Sequence, residues 1–160
     1  MKRDYNIVPV ASSEHLRQVR ELFEEYAGSL GISLEFQNYR EELAALPGAY
    51  APPEGQLLVA ECGGEVAGCV AMRKIGEGIC EMKRLYVRPA FRKQGLGQAL
   101  SRAIIEAARQ AGYRSMRLDT LKEMKAATAL YESMGFRRID AYYDNPLPNV
   151  IYLELQLLAK

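Results

Sequence analysis

The sequence predicts a mixed α/β fold: a central, mostly antiparallel sheet of about seven strands with helices on both faces. Three observations carry this expectation. The strand-like segments "QLLVAEC", "EVAGCVAMRKI" and "ICEMKRLYV" follow one another directly, which favours antiparallel hairpins. After them strand and helix patterns alternate, which favours right-handed β-α-β crossovers. A length of 160 residues at 49% hydrophobic suits one compact domain, residues 1–160, with a single core.

The elements follow in order. "YNIVPVA" is a short strand, and Pro9, which lacks an N–H for a ladder, places it at an edge. Ser12 or Ser13 caps the next helix, and Glu14 suits the positive end of its dipole. Leu16, Val19, Phe23, Tyr26 and Leu30 recur there at helical spacing until Gly28 and Gly31. "NYREELAAL" is a shorter helix, and Pro47, Gly48, Pro52, Pro53 and Gly55 punctuate a long loop. Gly63-Gly64 makes a two-residue hairpin turn between the first two central strands. The helix "QALSRAIIEAARQA" stops at Gly112, "SMRLDT" is a strand, and the helix "MKAATALYESM" stops at Gly135. "FRRIDAY" and "VIYLELQLL" are the last strands, on either side of the turn-rich "DNPLPN".

Composition excludes several classes. A net charge of +1 gives no global field toward nucleic acid or an anionic membrane. Met1-Lys2-Arg3 is interrupted by Asp4 and Asn6, and "IVPVA" is shorter than a signal peptide's apolar core of about 7–15 residues. No apolar run approaches the roughly 18 residues of a membrane-spanning helix. Cys62, Cys69 and Cys80 form no C-x-x-C pair and sit among apolar neighbours, as reduced thiols packed like small hydrophobes do. With His15 as the lone histidine, neither a metal site nor a His-activated nucleophile is expected. A cytoplasmic protein, monomeric or homodimeric, is expected.

The chemistry concentrates in "RKQGLGQAL", residues 92–100. It lacks the G-x-x-x-x-G-K-[ST] of a P-loop. As a G-x-G-x-x-G dinucleotide loop it carries Leu100 where a third small residue belongs. Asp119 would be its acidic ribose partner, but the strand entering the turn is the fourth, not the first. As R-x-x-G-x-G the match is Arg92, Gly95 and Gly97. A strand ending at Val87 would turn there into a helix whose first N–H groups lack acceptors and bind anions. Glycine removes the Cβ that would hold a diphosphate away, and Arg92 and Lys93 add donors. Lys83, Arg84, Arg88, Arg92 and Lys93 make a basic stretch with no acidic residue between positions 82 and 98. An ordinary helix start beside a solvated edge is the alternative.

"EMKRLYVRPAFRKQGLGQAL", then "RLDT", then "ALYESMGF" resemble the GNAT superfamily of acyl-CoA-dependent N-acyltransferases. With the element order, the resemblance covers roughly residues 56–140. It implies acetyl-CoA as co-substrate, with its pyrophosphate on the backbone amides of Gln94, Gly95, Leu96, Gly97 and Gln98, beside the donors Arg92 and Lys93. It also implies that the pantetheine arm pairs like a strand with Leu85, Tyr86 and Val87, in a sheet splayed after "ICEMKRLYV". Where the family often carries Asn, seven residues before the tyrosine, this chain has Met124, which removes one side-chain hydrogen bond to the cofactor.

The resemblance also implies roles. An attacking alkyl amine, of pKa about 10, must lose a proton, and the departing thiolate must gain one. Tyr131 stands where the family's general acid does, although Ala127, Leu130, Tyr131 and Met134 also share a helical face that a core aromatic would occupy. Glu81 stands where several members carry a catalytic base, a desolvated carboxylate in an apolar strand, with an ion pair to Lys83 as the structural alternative. Cys80 points to the opposite face and reads as core. The acceptor pocket would be shaped by Tyr26, Phe36, Gln37, Tyr142, Tyr143 and Asn145, with Glu24, Glu25, Glu41 and Glu42 able to attract a cation, a solvated helix face being the more ordinary account of those charges. The expected activity is acetyl transfer to a primary amine in a ternary complex, a small molecule or amino acid being favoured. A protein N-terminus or lysine, and a non-catalytic acyl-CoA sensor, are the alternatives. The basic stretch as a nucleic-acid surface lacks an aromatic stacking platform.

Overall fold

Hydrophobic spacing and turn chemistry account for the chain path in the computed structural model, which describes residues 5–30 and 39–157. β1 (Asn6–Pro9) leads into α1 (Ser13–Leu30), α2 (Tyr39–Ala45) and a 3-10 turn at Gly48–Tyr50. β2 (Gln56–Cys62), β3 (Glu65–Gly76) and β4 (Ile79–Val87) follow, and a 3-10 turn at Pro89–Phe91 opens onto α3 (Leu96–Gln110). β5 (Ser115–Leu121), α4 (Lys125–Ser133), β6 (Arg137–Ile139) and β7 (Val150–Gln156) complete the order. Seven strands form one sheet in the order β1-β2-β3-β4-β5-β7-β6. β4 and β5 pair in parallel, and the other neighbours are antiparallel.

Local signals act as their chemistry requires. Gly63 and Gly64, with φ of 58° and 86°, supply the two positive dihedrals of a type I′ hairpin turn. Of the two serines before α1, Ser12 is the cap: its Oγ accepts from the His15 N–H at 3.1 Å. β1 lies at the sheet edge, where Pro9 takes its place against Leu58.

The core forms two layers rather than one, because strand residues alternate faces and helices cover both. On one face Leu100 and Ile104 of α3 pack against Met116, Leu118 and Leu153. On the other, Val19, Leu22 and Phe23 of α1 pack against Leu57, Val59 and Ala71.

One departure from regularity positions the site. The β4–β5 ladder spans Ile79–Glu81 against Ser115–Arg117, and the strands then part. Just beyond, β4 bulges: its register on β3 shifts between Tyr86–Cys69 and Lys83–Ala71, and Arg84 takes a φ of 60°. An extra residue on one strand bends that strand. Gly68 permits the approach, since a Cβ there would meet the Tyr86 carbonyl at 2.5 Å and Leu100 Cδ1 at 3.2 Å. A crevice opens beyond the end of the β4–β5 ladder. Among the described residues no helix is long and apolar enough to cross a membrane.

Candidate active site

The crevice continues into a cleft of about 910 Å3. Leu85, Tyr86 and Val87 of β4 form one side, and Met124, Ala127 and Leu130 at the start of α4 the other. Arg92, Lys93, Gly95, Leu96 and Gly97 close one end. Lys93 and Gly95 have φ of 63° and 79°, so the backbone coils into a turn of the kind that makes an anion-binding concavity. Gly95 is the cap of α3, and the first intrahelical bond runs from the Ala99 N–H to its carbonyl at 3.0 Å. The N–H groups of Leu96, Gly97 and Gln98 precede that bond and are the orphan donors of the helix. A Cβ at Gly95 would meet nothing within 4 Å, and one at Gly97 would meet Leu130 Cδ2 at 3.9 Å, so the approach to those donors is open.

Eight of the ten residues expected at the donor site line this cleft: Leu85, Tyr86, Val87, Arg92, Lys93, Gly95, Leu96 and Gly97. Gln94 instead accepts the Tyr5 hydroxyl through its side-chain carbonyl, and the Gln98 side chain is exposed. Arg92 donates from Nε to the Val87 carbonyl at 2.9 Å and lies 5.7 Å over the Tyr86 ring. Its guanidinium is thereby held at the cleft mouth.

Where β4 and β5 part, the cleft meets a cavity of about 110 Å3 with which it shares Tyr26, Leu85, Met124 and Ala127. Lys83, Arg84, Asp119, Tyr131 and Asn145 supply its polar lining. Burial, with the nearby Tyr26 hydroxyl and Asp119 adding to it, pushes the Tyr131 phenol well above its ordinary pKa, so it holds its proton at any neutral pH. Its ring packs edge-on against Phe136 at 5.7 Å, which satisfies the core role and leaves the residue at the cavity wall. Tyr131 is thus both a core aromatic and a cavity residue.

Glu81 is 2% exposed and forms no part of the cavity wall described by these residues. It accepts from Arg73 Nε at 3.0 Å and from the Tyr142 hydroxyl at 2.5 Å, and lies 3.9 Å from Lys83 Nζ. Asp119 does line the cavity. It accepts from the Tyr143 hydroxyl and, at 3.4 Å, from Asn145 Nδ2, which also donates to the Tyr143 oxygen at 2.8 Å. Tyr142 and Tyr143 therefore stand behind the wall, each holding one carboxylate. Tyr26 is at the wall, and Phe36 and Gln37 lie outside the described residues.

The fold also disperses the basic stretch. Arg84 is buried, clamped by Glu42 through two bonds of 2.9 Å and placed near the faces of Tyr26 and Tyr39. Arg88 pairs with Glu25 at 3.0 Å. Only Arg92 and Lys93 of the five are exposed, so these five form no continuous basic surface. The same pairs commit Glu25 and Glu42 to arginines rather than to an incoming cation. Cys80 is buried in the core, its thiol pushed up to about 12 by burial. Met124 stands at the head of α4 without a side-chain bond to the helix N–H groups, and its thioether accepts from Thr120 Oγ1 at 3.9 Å.

Residues 16–136 match the model of the Acetyltransferase (GNAT) family. An uncharacterised N-acetyltransferase of Schizosaccharomyces pombe is 44% identical over 154 residues, covering 95% of this chain and 94% of that protein. An N-acetylaspartate synthetase of Danio rerio is 34% identical over 119 residues, covering 73% of this chain and 42% of that one. A solved structure from Klebsiella pneumoniae, assigned as an acyl-CoA N-acyltransferase, superposes with a TM-score of 0.76 at 28% identity, covering 96% and 98% of the two chains.

Proposed function

The chain belongs to the acetyltransferase (GNAT) family and is an N-acetyltransferase, and from that premise we propose that residues 1–160 act as one catalytic domain moving acetyl from acetyl-CoA to a small primary amine in a ternary complex. The observation that carries this reading is that the cleft at the Gly95–Gly97 loop adjoins the cavity at Tyr131, the two sharing Tyr26, Leu85, Met124 and Ala127 where β4 and β5 part. An open backbone cradle at one end and a protonated phenol at the other fit a diphosphate-bearing thioester.

Bound acetyl-CoA supplies an activated acyl group, and the chain's own residues do the rest. The N–H groups of Leu96, Gly97 and Gln98, with Arg92 and Lys93, hold the diphosphate. Beyond Glu81, the β4 edge offers Leu85, Tyr86 and Val87 to the amide-bearing arm. Tyr131 stays neutral through burial and gives its proton to the departing sulfur. Glu81, enclosed behind the cavity wall with Tyr142, serves as base through a water. A second base has a specific observation in its favour: Asp119 lines the cavity, whereas Glu81 stands behind it.

A cavity of about 110 Å3 favours a small acceptor, and the likeness to an N-acetylaspartate synthetase leans the same way. The free thiols Cys62, Cys69 and Cys80 suit a reducing, cytoplasmic setting.

Release of CoA thiol from acetyl-CoA against an amine panel tests the reading. Tyr131→Phe is expected to lower kcat by about 100-fold or more with the KM for acetyl-CoA little changed. Undiminished turnover in Tyr131→Phe combined with Glu81→Gln and Asp119→Asn would overturn the assignment. Comparing Glu81→Gln with Asp119→Asn identifies the base, as the variant that abolishes the acidic limb of the kcat/KM profile.

A further inference from the structure

Acetyl transfer moves charge at three atoms. Tyr131 serves the departing sulfur, and a carboxylate serves the amine nitrogen. The third atom is the acyl oxygen. As the amine lone pair forms the C–N bond, the C=O π pair shifts onto that oxygen, and it returns when the C–S bond breaks. A donor fixed in advance where that charge develops lowers the barrier strongly.

The shape of the site bounds where the oxygen lies. With the diphosphate on the Gly95–Gly97 loop and the amine in the cavity, the acyl group falls at the junction of cleft and cavity. Tyr26, Leu85, Leu121, Met124, Ala127 and Leu147 line both. Tyr26 alone among them carries a side-chain hydrogen-bond donor. Two further donors of the cavity wall are engaged elsewhere: Asn145 donates to Asp119 and to the Tyr143 oxygen, and Thr120 to the Met124 thioether.

Neighbours on β4 hold Tyr26 in place. Its ring packs edge-on against Tyr86 with centroids 6.2 Å apart. The Arg84 guanidinium lies 5.9 Å from the ring centroid, clamped by Glu42 and lining the same cavity. Tyr26 as a whole is half-buried, yet burial pushes its phenol above the ordinary pKa, with Arg84 opposing. The hydroxyl is therefore the enclosed end, and it keeps its proton at neutral pH. A cation beside it in a setting of low dielectric polarises the O–H and makes it a stronger donor.

Resting on the acetyltransferase reading above, we propose that Tyr26 is a further catalytic residue, its hydroxyl donating a hydrogen bond to the acyl oxygen and Arg84 strengthening that bond. The phenol keeps its proton throughout; the proton that reaches sulfur comes from Tyr131, and the one lost by the amine goes to the carboxylate base.

Infrared difference spectra of acetyl-CoA isotopically labelled at the carbonyl carbon, bound without an amine, read this contact directly. A hydrogen bond to the oxygen weakens the C=O bond, so the wild-type band is expected below its position in water. Tyr26→Phe keeps the ring and should return the band to the aqueous position or above. At saturating amine its kcat should fall by roughly 100-fold, with the KM for both substrates little changed. Tyr131→Phe should leave the band in place. A band that stays put in Tyr26→Phe overturns the proposal and leaves the acyl oxygen to backbone donors. So does a loss confined to the KM for the amine, which makes Tyr26 an acceptor contact only. Turnover alongside either result leaves the acetyltransferase reading standing, whereas acetyl-CoA that does not bind at all sinks both. If Tyr26→Phe does not fold, the wild-type band decides: at or above its aqueous position, it rules the contact out.

Discussion

Lys83 shows what a buried ammonium costs the fold. Its pKa is about 8 in the folded chain, where burial outweighs the nearby carboxylates, against about 10.4 when unfolded. Between those values the unfolded chain binds the extra proton, so stability rises with pH across that window. The penalty is therefore complete below pH 8 and is relieved as pH climbs toward 10.5. Replacing the ammonium by an apolar chain of similar length removes the penalty. Lys83→Met should thus be more stable than wild type at pH 7, by about 2 kcal/mol, with most of the difference gone by pH 10. The paired comparison cancels the buried tyrosines, whose raised pKa values act in both proteins. Urea unfolding of both at pH 7 and pH 10 checks it, and a difference that grows with pH contradicts it.

At the scale of elements, the start of α3 separates what the backbone needs from what a ligand needs. Gly95 sits at a φ of 79°, so an alanine there is strained by about 1–2 kcal/mol even though its Cβ would meet nothing. Gly97 is an ordinary helical residue, and its new Cβ would make only a 3.9 Å contact with Leu130. Gly97→Ala should therefore stabilise the free protein by up to about 1 kcal/mol while raising the KM for acetyl-CoA, because the methyl stands over the orphan N–H groups. Thermal melts and acetyl-CoA titration of the two variants read both effects; a Gly97→Ala protein with unchanged KM would move the diphosphate elsewhere. This end of the site was legible in the sequence because glycines, basic residues and helix start are neighbours within positions 92–98. The cavity at its other end was not, because its wall is assembled from α1, β4, β5, α4 and the segment near Asn145. The family resemblance implied Tyr142 and Tyr143 as wall residues, yet an irregular segment has no period to say which way a side chain faces, and both hold carboxylates from behind the cavity. Asp119 entered only as a distant match to a ribose-binding acid, since nothing local announces that β4 and β5 part beside it.

Over the whole molecule, the sheet is laddered from β1 to β6 except where β4 and β5 diverge. Two core layers close its faces, and among the described residues the β4 edge beyond Glu81 faces the cleft without a ladder partner on β5. A ligand that lies there acts as a missing piece of sheet and ties β4 to α4, and its binding is folding free energy. Acetyl-CoA at about 100 times its Kd should add roughly 2.7 kcal/mol, which for a chain of this size raises Tm by about 5–10 °C. ATP and NAD share the diphosphate but lack an amide-bearing arm to run along Leu85–Val87, so they should protect little. Hydrogen exchange gives the spatial readout: acetyl-CoA should slow the amides of Leu96–Gln98 and of the β4 edge, leaving the β6–β7 pairing unchanged. Protection by ATP or NAD with none from CoA would mean that the cradle serves a different diphosphate, and the crevice between β4 and β5 would then need another occupant.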